Sequence, residues 1–223
     1  MRRYGVIFDM DGVLVDSYQA HFRSWRRLAE RHGLTMTEEQ FAATFGRTTR
    51  EIIRALWGAA VRDEDIGAWD DEKEALYRRI IQQDFPEMDG AGELLCALHE
   101  AGFVLGVGSS GPAENVAVVR ECLSAGHLLS ACVNGSEVTR GKPHPEVFRK
   151  VAGKLGIPPQ RCAVVEDAPA GVEAARRAGM VAVAVTGTAA GQTLARRAHL
   201  VVDSLRELSP QILAELIEAH AGR

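Results

Sequence analysis

The chain has 223 residues, more than one average domain needs and fewer than two large ones, so one sizeable core plus a small accessory domain is expected. Apolar residues make up 46% and charged residues 25%, as in water-soluble globular proteins. With a net charge of −4, no overall basic character argues for nucleic acid or anionic lipid, and no apolar run approaches the roughly 18 residues of a membrane span.

The N-terminus, Met1-Arg2-Arg3-Tyr4, is basic, but the apolar stretch behind it breaks at Asp9 and lacks a small-residue cleavage site. It makes a poor signal peptide, and the expected location is the cytoplasm. Cys96, Cys122, Cys132 and Cys162 form no CxxC pair and read as scattered free thiols of a reducing compartment. The first strand is predicted at Tyr4–Asp9. Residues 17–87 then read as helix after helix: one from Ser17 to Gly33, one from Thr48, and one from about Asp65 to Asp84. Thr48-Thr49-Arg50-Glu51 fits a capping box. Beyond them, helices at Ala91–Ala101, Pro112–Leu123, Glu146–Leu155, Ala170–Ala178 and Pro210–Ala219 are interleaved with apolar strands. The strands are Phe103–Gly108, Ala131–Asn134, Cys162–Glu166, Met180–Val185 and Leu200–Asp203. The alternation predicts an α/β protein with a mostly parallel, Rossmann-like sheet between layers of helices. The domain boundaries follow: residues 1–15 and 88–223 form the core, and 16–87 a helical insert.

Ligands of parallel sheets bind beyond the carboxyl ends of the strands. Asp9 ends the first strand, Asp11 lies on the next turn, and Gly12 lets the backbone bend there. Turn-capping aspartates are the structural alternative. A calcium loop does not fit, because the EF-hand register and its preceding helix are missing. Ser109 and Ser110 stand ahead of a helix opened by Pro112, where hydroxyls and free N–H groups hold phosphate well; an ordinary N-cap is the alternative. Lys142, in Gly141-Lys142-Pro143-His144-Pro145, says little alone. Glu166 and Asp167 end the most hydrophobic strand, where two buried carboxylates repel each other. A divalent cation relieves that repulsion, and a few oxygen ligands favour Mg²⁺. Four strand ends therefore converge on acid, hydroxyl, amine and acid.

Taken together, Asp9-x-Asp11-Gly12, Ser109, Lys142 and Glu166-Asp167 resemble the four signature segments of the haloacid dehalogenase superfamily, over nearly the whole chain. The helical insert is similar to that family's α-helical cap. "FDMDGVLVDS", "GKPHPE" and "VVEDAPAG" resemble most the branch of β-phosphoglucomutase and small-molecule phosphatases. The resemblance implies that Asp9 attacks phosphorus to form an aspartyl-phosphate, while Asp11 protonates the leaving oxygen and then activates water. It implies Mg²⁺ on Asp9, the main-chain oxygen of Asp11 and Asp167, with Glu166 in support. Ser109, Ser110 and Lys142 would bind phosphate. Such a cation has a clear task, because each carboxylate–phosphate charge pair at about 4 Å costs roughly 4 kcal/mol at an effective dielectric near 20. The second aspartate argues against dehalogenation, since a halide leaving group needs no proton.

In the cap, His21 interrupts a stripe of Tyr18, Trp25 and Leu28, and Lys73 one of Trp69, Leu76, Tyr77 and Ile80. Both are hydrogen-bonded core residues on one reading. The phosphoglucomutase branch carries a His and a Lys at matching places, which implies contact with the leaving group. Arg47 and Arg50 are candidates for a distal anion or simple solvated charges. The mutase pattern requires a Lys-Asn pair after the motif serine, but Ser109 is followed by Ser110-Gly111-Pro112-Ala113, with Asn115 as a shifted substitute. The basic residue of the mutase cap loop is Phe45 here. A phosphatase for a small phosphomonoester, a sugar or polyol phosphate, is therefore favoured over a mutase. A phospho-acceptor receiver domain is disfavoured by the 70-residue insert. The expected partner is a small phosphorylated metabolite, with no nucleic acid or membrane, and a monomer is expected because a cap must open and close.

Overall fold

A computed structural model describes residues 3–44 and 47–222; Met1, Arg2 and Phe45 lie outside the described residues. The chain divides into two compact units. One comprises the residues up to Asp16 and from Pro86 onward, the other Ser17–Phe85.

Strand β1 (Gly5–Phe8) is followed by the helices of the smaller unit: α1 (Tyr18–Arg31), α2 (Glu38–Thr44), α3 (Thr49–Leu56) and α4 (Ile66–Gln83). Trp25, Leu28 and Ala29 of α1 share a core with Phe41, Ile52, Ile53 and Leu76. The capping box at the start of α3 is formed: the Thr48 side chain accepts from Glu51 N–H, and Glu51 Oε2 accepts from Thr48 N–H at 2.9 Å. Helix α2 falls outside the sequence expectation. It has only seven residues, too few for a periodicity to show, but it opens on its own box. Thr37 N–H donates to Gln40 Oε1 at 2.9 Å, and Gln40 N–H to Thr37 Oγ1 at 3.2 Å.

The larger unit continues with α5 (Ala91–Glu100), β2 (Val104–Gly108), α6 (Ala113–Cys122), β3 (Leu129–Val133), α7 (Glu146–Leu155) and β4 (Cys162–Glu166). It ends with α8 (Pro169–Ala178), β5 (Val181–Val185), α9 (Gly191–Ala195), β6 (Leu200–Val202) and α10 (Pro210–Ala221). All six strands are parallel, in the order β3-β2-β1-β4-β5-β6. Helices α7 and α8 pack together against one face, on Ile7, Val164, Ala182 and Ala184. The alternate residues Val6, Phe8, Val165 and Val183 are equally buried. Helices α5, α6 and α10 supply the other layer. Strand β3 begins at Leu129, two residues before the expected Ala131, and its pairing with β2 shifts register between Leu105 and Gly106. The short α9, five residues long, likewise falls outside the sequence expectation. The four cysteines are free, and among the described residues no helix is long and apolar enough to cross a membrane.

Candidate active site

Strand order reverses between β1 and β4: the chain builds outward from β1 through β2 to β3, then returns to place β4 on β1's other side. Such a switch point leaves a crevice beyond the strand ends. Phe8 pairs with Val165, and Asp9 N–H donates to Val165 O at 2.9 Å, so Asp9 and Glu166 emerge side by side. With Asp167 they form a trio whose oxygens lie within 4.8 Å of one another. All three are buried.

Burial of like charges must be compensated. Among the described residues Lys142 supplies the cation: its Nζ lies 2.5 Å from Asp9 Oδ1 and 2.7 Å from Glu166 Oε1. The other Glu166 oxygen accepts the N–H groups of Asp167 and Ala168, each at 2.8 Å. Burial would lower the Lys142 ammonium, but Asp9 and Glu166 outweigh it and hold it above its ordinary value. Burial raises the Asp9 carboxyl well above its usual range; Lys142 opposes this, and Glu166 and Asp167 add to it. Burial, followed by the charge on Glu166, lifts Asp167 to about 7. With all three carboxylates deprotonated, as a bound cation requires, one ammonium leaves a net charge of −2. Oxygen donors with that deficit fit a divalent hard cation.

The remaining predicted residues of this unit frame the trio. Asp11 is half-buried on the turn after β1; its carboxylate is not part of the trio. Gly12 has φ +77°, and a Cβ there would meet Asp167 Oδ2 at 2.1 Å, so the turn is packed against that carboxylate. Ser109 is buried at the end of β2, beside β1, and its Oγ accepts Gly111 N–H at 3.0 Å. Ser110 is exposed.

In the helical unit, Lys73 is buried. Its Nζ lies 2.9 Å from His21 Nδ1 and 2.7 Å from Glu74 Oε1, and the His21 ring stacks on Tyr77 at 4.1 Å. The two predicted residues are thus partners of each other. Arg47 and Arg50 are exposed, and Arg50 pairs with Asp63 at 2.8 Å.

Two further residues, outside the four sequence motifs, shape the trio. Thr188 hydrogen-bonds the Asp167 carboxylate. Gly171, in the first turn of α8, lies so close to Glu166 that a Cβ would meet Oε1 at 1.6 Å. A buried glycine inside a helix was the available signal, because glycine there costs about 1 kcal/mol relative to alanine and needs a packing reason. Thr188, in an irregular segment, carried none.

The family profile of the haloacid dehalogenase-like hydrolases matches residues 5–179. Validoxylamine A 7′-phosphate phosphatase of Streptomyces hygroscopicus subsp. limoneus is 32% identical, over 92% of this chain and 96% of that enzyme. Hexitol phosphatase A of Escherichia coli is 35% identical, over 94% of each chain. The crystal structure of β-phosphoglucomutase from Clostridium difficile superimposes with a TM-score of 0.82 over the full length of both chains, at 25% identity.

Proposed function

Because the chain belongs to the haloacid dehalogenase-like hydrolases, we propose that it is a phosphatase of a small phosphomonoester, a sugar or polyol phosphate, working through an aspartyl-phosphate. The observation that carries this reading is the carboxylate trio around Lys142: a buried Asp9 held by an ammonium, with two more carboxylates within 4.8 Å. The relatives named for hexitol and validoxylamine phosphates supply the substrate class.

In this reading an Asp9 oxygen forms a bond to phosphorus as the ester P–O bond breaks, and Asp11 gives its proton to the departing alcohol oxygen. Asp11 then takes a proton from water, whose oxygen attacks phosphorus and frees the Asp9 carboxylate and inorganic phosphate. Lys142 and the Ser109 hydroxyl stabilise the charge on the transferring oxygens, with Ser110 beside them. Glu166 holds Lys142 in place through its 2.7 Å contact and anchors itself on two backbone N–H groups. Asp9, Asp167 and the main-chain oxygen of Asp11 are the residues that would hold Mg²⁺, with Glu166 in support. When bound, that cation supplies the positive charge that lets a carboxylate approach a phosphate. Everything else is positioning, as phosphoryl transfer requires.

Phosphate release across a panel of sugar, polyol and glycolytic phosphates, with and without Mg²⁺, tests the proposal. Absence of release from every ester would sink it. The likeness to a β-phosphoglucomutase supports a second reading, a sugar phosphomutase. Conversion of β-glucose 1-phosphate to glucose 6-phosphate without net phosphate release would establish that one instead.

A further inference from the structure

The segments that carry Lys142 and Asp167 also border a second hollow, a cavity of about 340 Å³. Pro143, Pro169, Val172 and Leu194 form its apolar lining, the last two fully buried. Three guanidinium groups stand around it, those of Arg177, Arg196 and Arg197. Arg177 and Arg197 share a single carboxylate, Glu173, which Arg177 Nε meets at 2.7 Å and Arg197 Nη1 at 2.6 Å. Arg196 is exposed and has no ion-pair partner among the described residues.

Three positive charges against one negative leave the rim at +2, on a chain whose net charge is −4. A surface of that overall sign has no general reason to gather three arginines around one hollow. A phosphate monoester carries about −1.5 to −2 near neutral pH and neutralises this rim. Guanidinium groups match phosphate oxygens through paired N–H donors. The volume lies at the lower end of the roughly 300–1,000 Å³ found for small-molecule sites, and an apolar floor with a few convergent polar groups is their usual construction. We propose that this cavity is a second binding site, separate from the carboxylate trio, for a small organic phosphate with an apolar ring or chain.

The site has a route to the trio. Arg177 Nη1 reaches Pro143 O at 3.5 Å, and Pro143 directly follows Lys142. Pro169 stands two residues after Asp167 and opens α8. A ligand that engages Arg177 and packs on both prolines bears on the two segments that place Lys142 and Asp167.

Phenylphosphonate is a suitable probe, because it joins a dianionic head to an apolar ring and has no ester to hydrolyse. Amide NMR of the intact protein should show saturable shifts at Val172, Thr193 and Leu194. Amides of Gly12 and Gly111 report separately on any binding near the trio. In the Arg196→Ala/Arg197→Ala variant the affinity read at the cavity should fall at least tenfold, with the Gly12 and Gly111 response unchanged. Should that variant fold poorly, Arg196→Ala alone removes only a solvent-facing group and should still weaken cavity binding at least threefold. Silence of the cavity amides in the native protein, or equal affinity in the native and variant proteins, overturns the proposal.

Discussion

Replacing Gly171 with alanine sets two physical effects against each other. Helix propensity favours alanine by up to about 1 kcal/mol, so a surface helix would be stabilised. At this position, however, the new Cβ would lie 1.6 Å from Glu166 Oε1 and 1.9 Å from its Cδ. An ordinary Cβ contact begins at 3.4 Å, so the carboxylate must retreat by roughly 2 Å. It is also held on its other sides. Oε2 accepts two N–H groups at 2.8 Å, and Oε1 meets Lys142 at 2.7 Å. A retreat of that size breaks these contacts. Hydrogen bonds to a charged acceptor are worth about 1.5–3 kcal/mol each, and breaking a buried ion pair costs about 3–5 kcal/mol. Together these losses come to roughly 6–11 kcal/mol if nothing replaces the contacts; with water taking up part of them and propensity subtracted, Gly171→Ala should destabilise the protein by at least about 3 kcal/mol and reduce any Mg²⁺-dependent phosphatase activity. Urea unfolding monitored by circular dichroism measures the first quantity. A variant as stable as the native protein, or more so, would refute the claim that Glu166 is clamped against this helix turn.

Asp9→Asn should lower phosphate release to background while circular dichroism and the unfolding midpoint remain near native; turnover close to the native rate would remove the assigned nucleophile. Lys142→Met leaves Asp9 and Glu166 buried without their ammonium and should destabilise the metal-free protein by about 3–5 kcal/mol, with partial recovery on adding MgCl₂. Unfolding in EDTA and in Mg²⁺ checks both parts. For pH, Asp167 has a folded value of about 7, above its unfolded one, so its contribution to stability is present in acid and lost as pH rises through about 7 in the metal-free protein. Cation binding must displace that proton. The rise in melting temperature on adding MgCl₂ should therefore be larger at pH 8 than at pH 6, and a rise independent of pH would contradict the assignment.

The fold was legible wherever burial wrote a strong pattern. Cys162–Glu166 and Glu146–Leu155 were read to the residue, because a fully buried parallel strand is a continuous apolar run and α7 has a clear apolar face. Helix α2 escapes a periodicity reading because its signal is chemical rather than periodic: Thr37 and Gln40 close a capping box of the same kind that marks α3 at Thr48 and Glu51. Strand β3 begins two residues ahead of its apolar run because Ser130 interrupts that run, and its start is fixed by pairing with Leu105, which a single segment does not encode. In the helical unit, the stripes placed His21 and Lys73 on apolar faces, but not their 2.9 Å contact, which depends on how α1 packs on α4.

Glu166 and Asp167 show what a motif contains and what it omits. In the sequence they are two adjacent carboxylates at one strand end, equivalent candidates for the same cation. In the structure they differ, because β4 ends between them. Glu166 is the last strand residue, and its side chain lies where the next two backbone N–H groups and Lys142 can all reach it. Its oxygens are largely committed to protein partners. Asp167, one residue on, has left the strand and lies against the turn at Gly12, with Thr188 as its side-chain donor and burial raising it to about 7. A group that is buried, raised and held by few donors is the one whose energy a cation lowers most. The division of labour follows: Glu166 fixes the ammonium that serves Asp9, and Asp167 offers the more available oxygens. Removing either carboxylate should therefore fail differently. Asp167→Asn should weaken Mg²⁺ binding more than it unsettles the fold, whereas Glu166→Gln should loosen Lys142 and cost stability even without metal. Isothermal titration with MgCl₂ alongside urea unfolding separates the two, and identical losses in both assays would show that the pair acts as a single undivided ligand.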